Sequence, residues 1–230
     1  MKTEIVKYTN YQHNQELIKR IMDLIEPSYK TAGKHITKDI EICNELYVMQ
    51  SDNELLLAIF MVGYHSINDI NCCYLGLSAC KEEYKNNGFV KRLYLEFAKD
   101  CVAKELEINK RIYSYWTTAT PIVYHWFEKY FSGVEPDRHG ICTSSGLQIL
   151  QTIANKKYPK AEFEIATPFV LRHAAHQINY SDNERHRITK AIKDLDLTVF
   201  EKYKLDETQG DRFLMFGFCP PYNKIIELTK

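Results

Sequence analysis

The residues from Lys81 to Arg92, KEEYKNNGFVKR, combine four basic side chains, two adjacent amides and a glycine. Beyond the glycine, Phe89, Leu93, Phe97 and Cys101 recur four apart with Val90, Tyr94, Ala98 and Val102 beside them. That spacing predicts an amphipathic helix opening at Gly88. The first amides of such a helix have no intrahelical acceptor, and the helix dipole places positive potential behind them. Gly88, without a Cβ, lets an anion's oxygens come close to the backbone. Lys81, Lys85, Lys91 and Arg92 add charge around the same point. This is the chemistry of a seat for a phosphorylated ligand. The competing reading is a surface turn with solvated lysines.

Other residues invite chemistry less strongly. Tyr124 stands in the first turn of a predicted helix, PIVYHWFEKYF, which Thr120 caps and Pro121 opens. By itself a tyrosine on such a helix is a packing residue. His65 and Glu83 are candidates for a general base, each weighed against a solvated polar role, and the base stays unassigned. His173-Ala-Ala-His176, with His186 further on, lacks the glutamate of a zinc-protease helix. No CxxC pair is available to complete a zinc site, so no metal is expected. Arg185, Arg187, Lys190 and Lys193 form a basic flank, read as a solvated face or as a collector for an acidic group.

Composition bounds the function. The chain has 230 residues, 45% of them apolar, enough for one large domain or a core with an appendage. Lysine plus arginine equals aspartate plus glutamate at 30 each, which argues against nucleic acid as a general partner. The longest apolar run, Leu55 to Val62, is too short to span a bilayer, and the first residues carry no signal-peptide pattern. Seven cysteines at irregular spacing predict reduced thiols and a cytoplasmic protein.

The elements that would position these residues follow from periodicity. Strands are expected over 4–9, 45–50, 54–66 and 70–79, with short turns at 51–53 and 67–69 that imply an antiparallel meander. A helix is expected from Asn14 to Pro27, where Leu17, Ile21, Leu24 and Ile25 share a face, and a second over 38–46 capped by Thr37. After the long helix come a strand over 111–118 and the Pro121 helix. The remainder predicts a helix capped by Ser144 or Ser145, an interrupted strand over 163–173, and a helix with Ile188, Ile192 and Leu195 on one face. A closing strand over 211–219 ends at Pro220-Pro221.

This order of hairpin, strand, glycine turn, long helix, strand and Pro-started helix resembles the GNAT superfamily of acyl-CoA-dependent N-acyltransferases. That family's loop reads Arg/Gln-x-x-Gly-x-Gly/Ala; here Lys85-Asn86-Asn87-Gly88-Phe89-Val90 aligns with it. In the later motif Thr117 stands at the usual asparagine, Thr120 at the small residue and Tyr124 at the tyrosine. The resemblance covers roughly residues 1–131.

The resemblance implies an α/β fold with a mixed, mostly antiparallel sheet flanked by helices on both faces. It implies an acyl-CoA-binding core over 1–135; from length and patterning, residues 136–230 are expected to complete the sheet and border the acceptor pocket. Acetyl-CoA would be the donor. Its pantetheine would lie along Leu77 and Ala79, with Gly76 at a bulge, and its diphosphate on the amides of Asn87, Gly88, Phe89 and Val90, with Lys85, Lys91 and Arg92 nearby. A backbone N–H near Leu77 would polarise the thioester carbonyl, and Tyr124 would return a proton to the leaving thiolate. The expected reaction is N-acetyl transfer to a primary amine, on a small molecule or a peptide, by direct attack in a ternary complex. The expected protein is a monomer or homodimer. The alternatives are a catalytically inactive CoA- or partner-binding protein and, less favoured by the charge balance, a basic helix docking on RNA.

Overall fold

The computed structural model describes residues 2–29, 32–175 and 180–229. In chain order the first elements are β1 (Thr3–Thr9), α1 (Gln15–Ile25), α2 (Ala32–Ile42), β2 (Glu45–Ser51), β3 (Leu56–Ile67), β4 (Ile70–Cys80) and α3 (Phe89–Ile108). Then follow β5 (Tyr113–Thr118), α4 (Pro121–Tyr130), β6 (Ser132–Glu135), α5 (Ser144–Lys157) and β7 (Val170–Leu171). The last are α6 (Asp182–Ala191), α7 (Thr198–Tyr203), β8 (Arg212–Phe218) and α8 (Tyr222–Thr229). The fold is α/β, with strand pairing that is mostly antiparallel, as the sequence leads one to expect. None of the described helices is long and apolar enough to cross a membrane.

Two compact units are present. The first comprises residues 1–65, 73–112 and 220–230; the second comprises 66–72 and 113–219. The main run of the second unit opens at Tyr113, and residues 220–230 belong to the first.

In the first unit β1, β2 and β3 pair antiparallel, with Val6 opposite Val48 and Val48 opposite Ile59. Strand alternation sends Leu46, Val48, Ile59 and Met61 to one face, where they join Leu17, Ile21 and Ile25 of α1 and Ile36 and Ile40 of α2. The other face carries Tyr47 and Phe60, whose rings meet Phe97 of α3 edge-on at centroid distances of 6.2 and 5.5 Å. Helices cover both faces, which explains why β2 and β3 read as unbroken apolar runs. Phe97 is fully buried, and truncating it to alanine would cost about 3–5 kcal/mol. The Asn14 side chain caps α1 by accepting from the Leu17 amide at 3.0 Å. The buried carboxylate of Glu45 lies 3.1 Å from both Lys7 Nζ and Lys104 Nζ. Tyr47 donates its hydroxyl to Asp100 at 2.8 Å. Helix α8, unforeseen from the sequence, packs against α3.

In the second unit β8 is paired on both edges. β5 lies along one edge, with Trp116 opposite Met215, and β6 and β7 share the other, with Ser132 opposite Phe218 and Val170 opposite Phe213. The sequence marks 211–219 as a closing strand; β8 is instead interior to its unit. A Cβ at Gly217 would stand 3.1 Å from the Phe127 ring and 3.2 Å from the Ser132 carbonyl. Glycine there is what lets the end of α4 lie on β8.

Several local expectations are corrected. Helix α2 begins at Ala32, so Thr37 lies inside it, and Glu45 and Leu46 belong to β2. The cap of α5 is Thr143, whose hydroxyl accepts from the Gly146 amide at 3.0 Å. Of the run 163–173 only Val170–Leu171 is strand, because Pro168 offers no amide to a ladder. Ser181 caps α6 as expected, yet Ile188, Ile192 and Leu195 are only half-buried.

Candidate functional site

The glycine turn of the first unit is built by backbone geometry. The Lys81 amide donates to the Leu57 carbonyl at 2.8 Å, fixing the end of β4 against β3. Asn86 takes φ +70° and Gly88 φ +72°. Both lie in the left-handed region, where asparagine is among the most tolerated side chains and glycine is free of strain. Gly88 is the N-cap of α3, and the Arg92 amide is the first to donate back into the helix, to the Gly88 carbonyl at 3.0 Å. The amides of Phe89, Val90 and Lys91 are those that a helix start leaves without an intrahelical acceptor. A Cβ built at Gly88 meets nothing within 4 Å, so this corner of the backbone faces open space. The Asn87 amide donates to the Tyr84 carbonyl at 3.3 Å. The Tyr84 ring stacks on Phe89 with centroids 6.1 Å apart.

The basic side chains around the turn have acquired partners. Lys85 Nζ lies 2.6 Å from Glu82 and donates to Ser28 Oγ at 3.4 Å. Arg92 donates to Thr3 Oγ1 at 3.2 Å. Lys81 Nζ lies 3.4 Å from Glu83. Backbone hydrogen bonding and then Lys81 hold the Glu83 carboxyl below its ordinary range, which makes this exposed glutamate a weaker base than its type suggests. Lys91 occupies the third helical position of α3.

The far end of β4 breaks its alternation. Tyr74, Leu77 and Ala79 all pack against the core beneath α1 and α2, and a Cβ at Gly76 would point the same way, 2.6 Å from Cys43 Sγ. Residues 74 and 76 share a face by period two, but 77 and 79 can share it only if the pattern slips by one residue between Gly76 and Leu77. Such a slip is the signature of a bulge. It turns the Leu77 amide toward α2.

Asp39 of α2 accepts the Tyr74 hydroxyl at 2.9 Å, and the Leu77 amide is near enough to favour its charged form. Burial pushes its carboxyl up to about 6, against the opposing pull of the Tyr74 hydroxyl, the Lys38 charge and the Leu77 amide. Cys43, with the Gly76 amide beside its sulfur, is raised as well, by burial first and then by Asp39. Tyr11 is 3% exposed, and its hydroxyl has no hydrogen-bond partner among the described residues. Sequence reasoning missed Asp39. The available signal was its place three residues after Ile36 and four before Cys43, a helical spacing that puts a carboxylate on the apolar face.

In the second unit Tyr124 sits in the first turn of α4, buried between Phe200 and Phe213. Its hydroxyl donates to the Pro136 carbonyl at 3.1 Å. Burial, with Glu128 and Asp137 adding to it, holds the phenol above its ordinary range, so it keeps its proton throughout the neutral region. Thr120 bonds Thr118 through its hydroxyl at 3.0 Å rather than capping α4 with it. Thr117 Oγ1 lies 3.2 Å from the Tyr158 hydroxyl. Arg185 and Arg187 of the basic flank lie 3.6 and 3.1 Å from Glu207 and Glu184. His173 Nδ1 is 3.1 Å from the Gln209 carbonyl, and His176 lies outside the described residues. Among the described residues no group of three or more histidine, cysteine or acidic side chains is arranged to hold a metal.

No family model matches this chain, and no curated protein matches it. Solved structures do. The GNAT-family N-acetyltransferase YhbS from Escherichia coli, in complex with CoA, is 13% identical over 59% of this chain and 69% of that one, with a TM-score of 0.42. The catalytic domain of the Tetrahymena GCN5 histone acetyltransferase, in complex with coenzyme A, is 17% identical over 56% and 76%, with a TM-score of 0.42. A GNAT-family acetyltransferase from Staphylococcus aureus MU50 is 16% identical over 56% and 80%, with a TM-score of 0.40. The chain is thus similar, over a little more than half of its length, to GNAT-family N-acetyltransferases.

Proposed function

We propose that the protein transfers an acetyl group from acetyl-CoA to a primary amine by direct attack. The observation that carries the reading is the start of α3: donor amides at Phe89, Val90 and Lys91, and a left-handed Gly88 whose outer side is open. This arrangement fits a diphosphate, which needs several N–H donors converging without side-chain obstruction. The Gly88 amide completes the set. Lys91 and Arg92 supply charge, whereas Lys85 is largely neutralised by Glu82. The slip at Gly76 supports the same reading, since it presents backbone amides of β4 where a pantetheine and a thioester carbonyl would need them. Tyr124, the tyrosine to which the family resemblance gives the proton-donor role, keeps its phenolic proton through the neutral range.

A second reading, CoA binding without turnover, is favoured by one observation: the Tyr124 hydroxyl is already given to Pro136. Calorimetric titration separates the possibilities. CoA should bind, and 3′-dephospho-CoA and pantetheine should lose affinity in steps, the larger step accompanying loss of the diphosphate. Equal affinity for CoA and pantetheine would overturn the diphosphate seat. Saturable CoA binding without acetylation across a broad amine panel would favour the second reading. A cytoplasmic location and a monomer or homodimer belong to the same proposal; the seven free cysteines suit a reducing compartment.

A further inference from the structure

The first unit holds a polar cluster that packing alone does not require. Asp39 is half-buried on the apolar side of α2, where a carboxylate is costly. It is met from β4 by the Tyr74 hydroxyl and the Leu77 amide, and from its own helix by Lys38. Cys43 lies beside it. The Tyr11 phenol, from the turn ahead of α1, is close enough for the charges of both Cys43 and Asp39 to raise it, yet its buried hydroxyl bonds to nothing described. A buried hydroxyl without a partner costs about 1–3 kcal/mol. This one stands beside a carboxylate that is only half-buried.

We infer that Asp39 is the catalytic group that receives the acceptor: its carboxylate pairs with the acceptor's ammonium and takes the proton the amine must lose. The inference rests on the acyl-transfer reading and names the base that reading lacks. An alkylamine with a pKa of about 10 is almost entirely cationic at neutral pH, and its cation has no lone pair with which to attack. A carboxylate both attracts that cation and accepts its proton. The balance closes: the ammonium gives one proton to Asp39, which passes it to solvent, the neutral nitrogen forms a bond to the acyl carbon, the C–S bond breaks, and the second N–H proton, lost from the tetrahedral intermediate, is matched by protonation of the leaving thiolate. The class of acceptor follows, namely a cationic primary amine.

The test uses the full-length protein, acetyl-CoA, and ethanolamine, spermidine and a lysine-bearing peptide as probes, with hydroxylamine as a nucleophile that is already neutral near pH 7. Asp39→Asn should bind CoA calorimetrically like the unsubstituted protein, reporting an intact fold. With the alkylamines it should lose about 10²–10⁴-fold in kcat/KM, and with hydroxylamine far less. The acidic limb of the pH–rate profile, centred near 6 in the unsubstituted protein, should vanish in Asp39→Asn. It should move upward in Tyr74→Phe, which removes a hydrogen bond to the carboxylate. Asp39→Glu should recover part of the alkylamine activity. An Asp39→Asn protein that acetylates alkylamines at the original rate, with its acidic limb intact, overturns this inference while leaving acyl transfer standing. An unsubstituted protein that binds CoA but acetylates none of the probes overturns both.

Discussion

Replacing Gly88 by alanine should separate two roles of one residue. At φ +72° an L-residue with a Cβ pays roughly 1–2 kcal/mol of backbone strain. Nothing lies within 4 Å of the new Cβ, so no steric cost from the protein adds to this. Denaturant unfolding of Gly88→Ala should therefore report a loss near that figure and no more. The same Cβ would stand on the side from which a diphosphate approaches. Losing one charge-assisted hydrogen bond to a displaced phosphate costs about 1.5–3 kcal/mol, equivalent to roughly 10–100-fold in CoA affinity. Gly88→Asn is the control, because asparagine tolerates the left-handed conformation, as Asn86 does at φ +70° two residues earlier. Its stability should stay close to that of the unsubstituted protein while its CoA affinity falls as in the alanine variant. Paired denaturation and calorimetry decide the matter. If Gly88→Asn restores CoA binding along with stability, the glycine is needed only for its conformation, and the argument for close approach of an anion is wrong.

Three further outcomes follow from the same geometry. Asp39, raised to about 6 from an ordinary 3.8, makes the native state bind more protons than the unfolded chain between those values. The contribution of Asp39 to stability should thus be greatest below pH 4 and decline as pH rises to 6, by an amount bounded at about 3 kcal/mol. Asp39→Asn should flatten that decline in unfolding curves taken at pH 4.5 and 7.5, and a steeper one would contradict the assignment. Tyr11→Phe removes the unpartnered hydroxyl and should leave thermal stability unchanged or raise it by about 1 kcal/mol; a loss of that size would mean the hydroxyl has a partner. Tyr124→Phe gives up the bond to Pro136, costing about 1 kcal/mol in unfolding free energy, and, if Tyr124 is the proton donor, slows acetyl transfer well beyond any change in CoA affinity. An unaltered rate would remove Tyr124 from the mechanism.

Much of the frame was legible one residue at a time. The four-residue spacing from Phe89 to Cys101, the three-strand run between Glu45 and Cys80, and the Thr120-Pro121 start of α4 are local patterns, set by backbone hydrogen bonding and burial of a single face. So was the glycine turn, because a left-handed residue at a helix start is a local demand that few side chains meet. Where local signals were weak the reading slipped. Val170–Leu171 is a two-residue strand too short to carry a pattern, and α8 has too few residues to announce itself.

What the chain could not disclose one segment at a time was who meets whom. That Lys85 is spent on Glu82, that β8 is paired on both edges, and that Asp39 of α2 takes the Tyr74 hydroxyl of β4 are facts of tertiary contact. Periodicity assigns a residue to a face; it says nothing about which residue of another element stands opposite. Charge and hydrogen-bond satisfaction act at a few ångströms in space, across separations such as the 35 residues between Asp39 and Tyr74 or the 89 between Thr3 and Arg92. The anion seat was therefore readable from its own twelve residues, Lys81 to Arg92, while the proposed base emerged only once folding had brought a helix against a slipped strand.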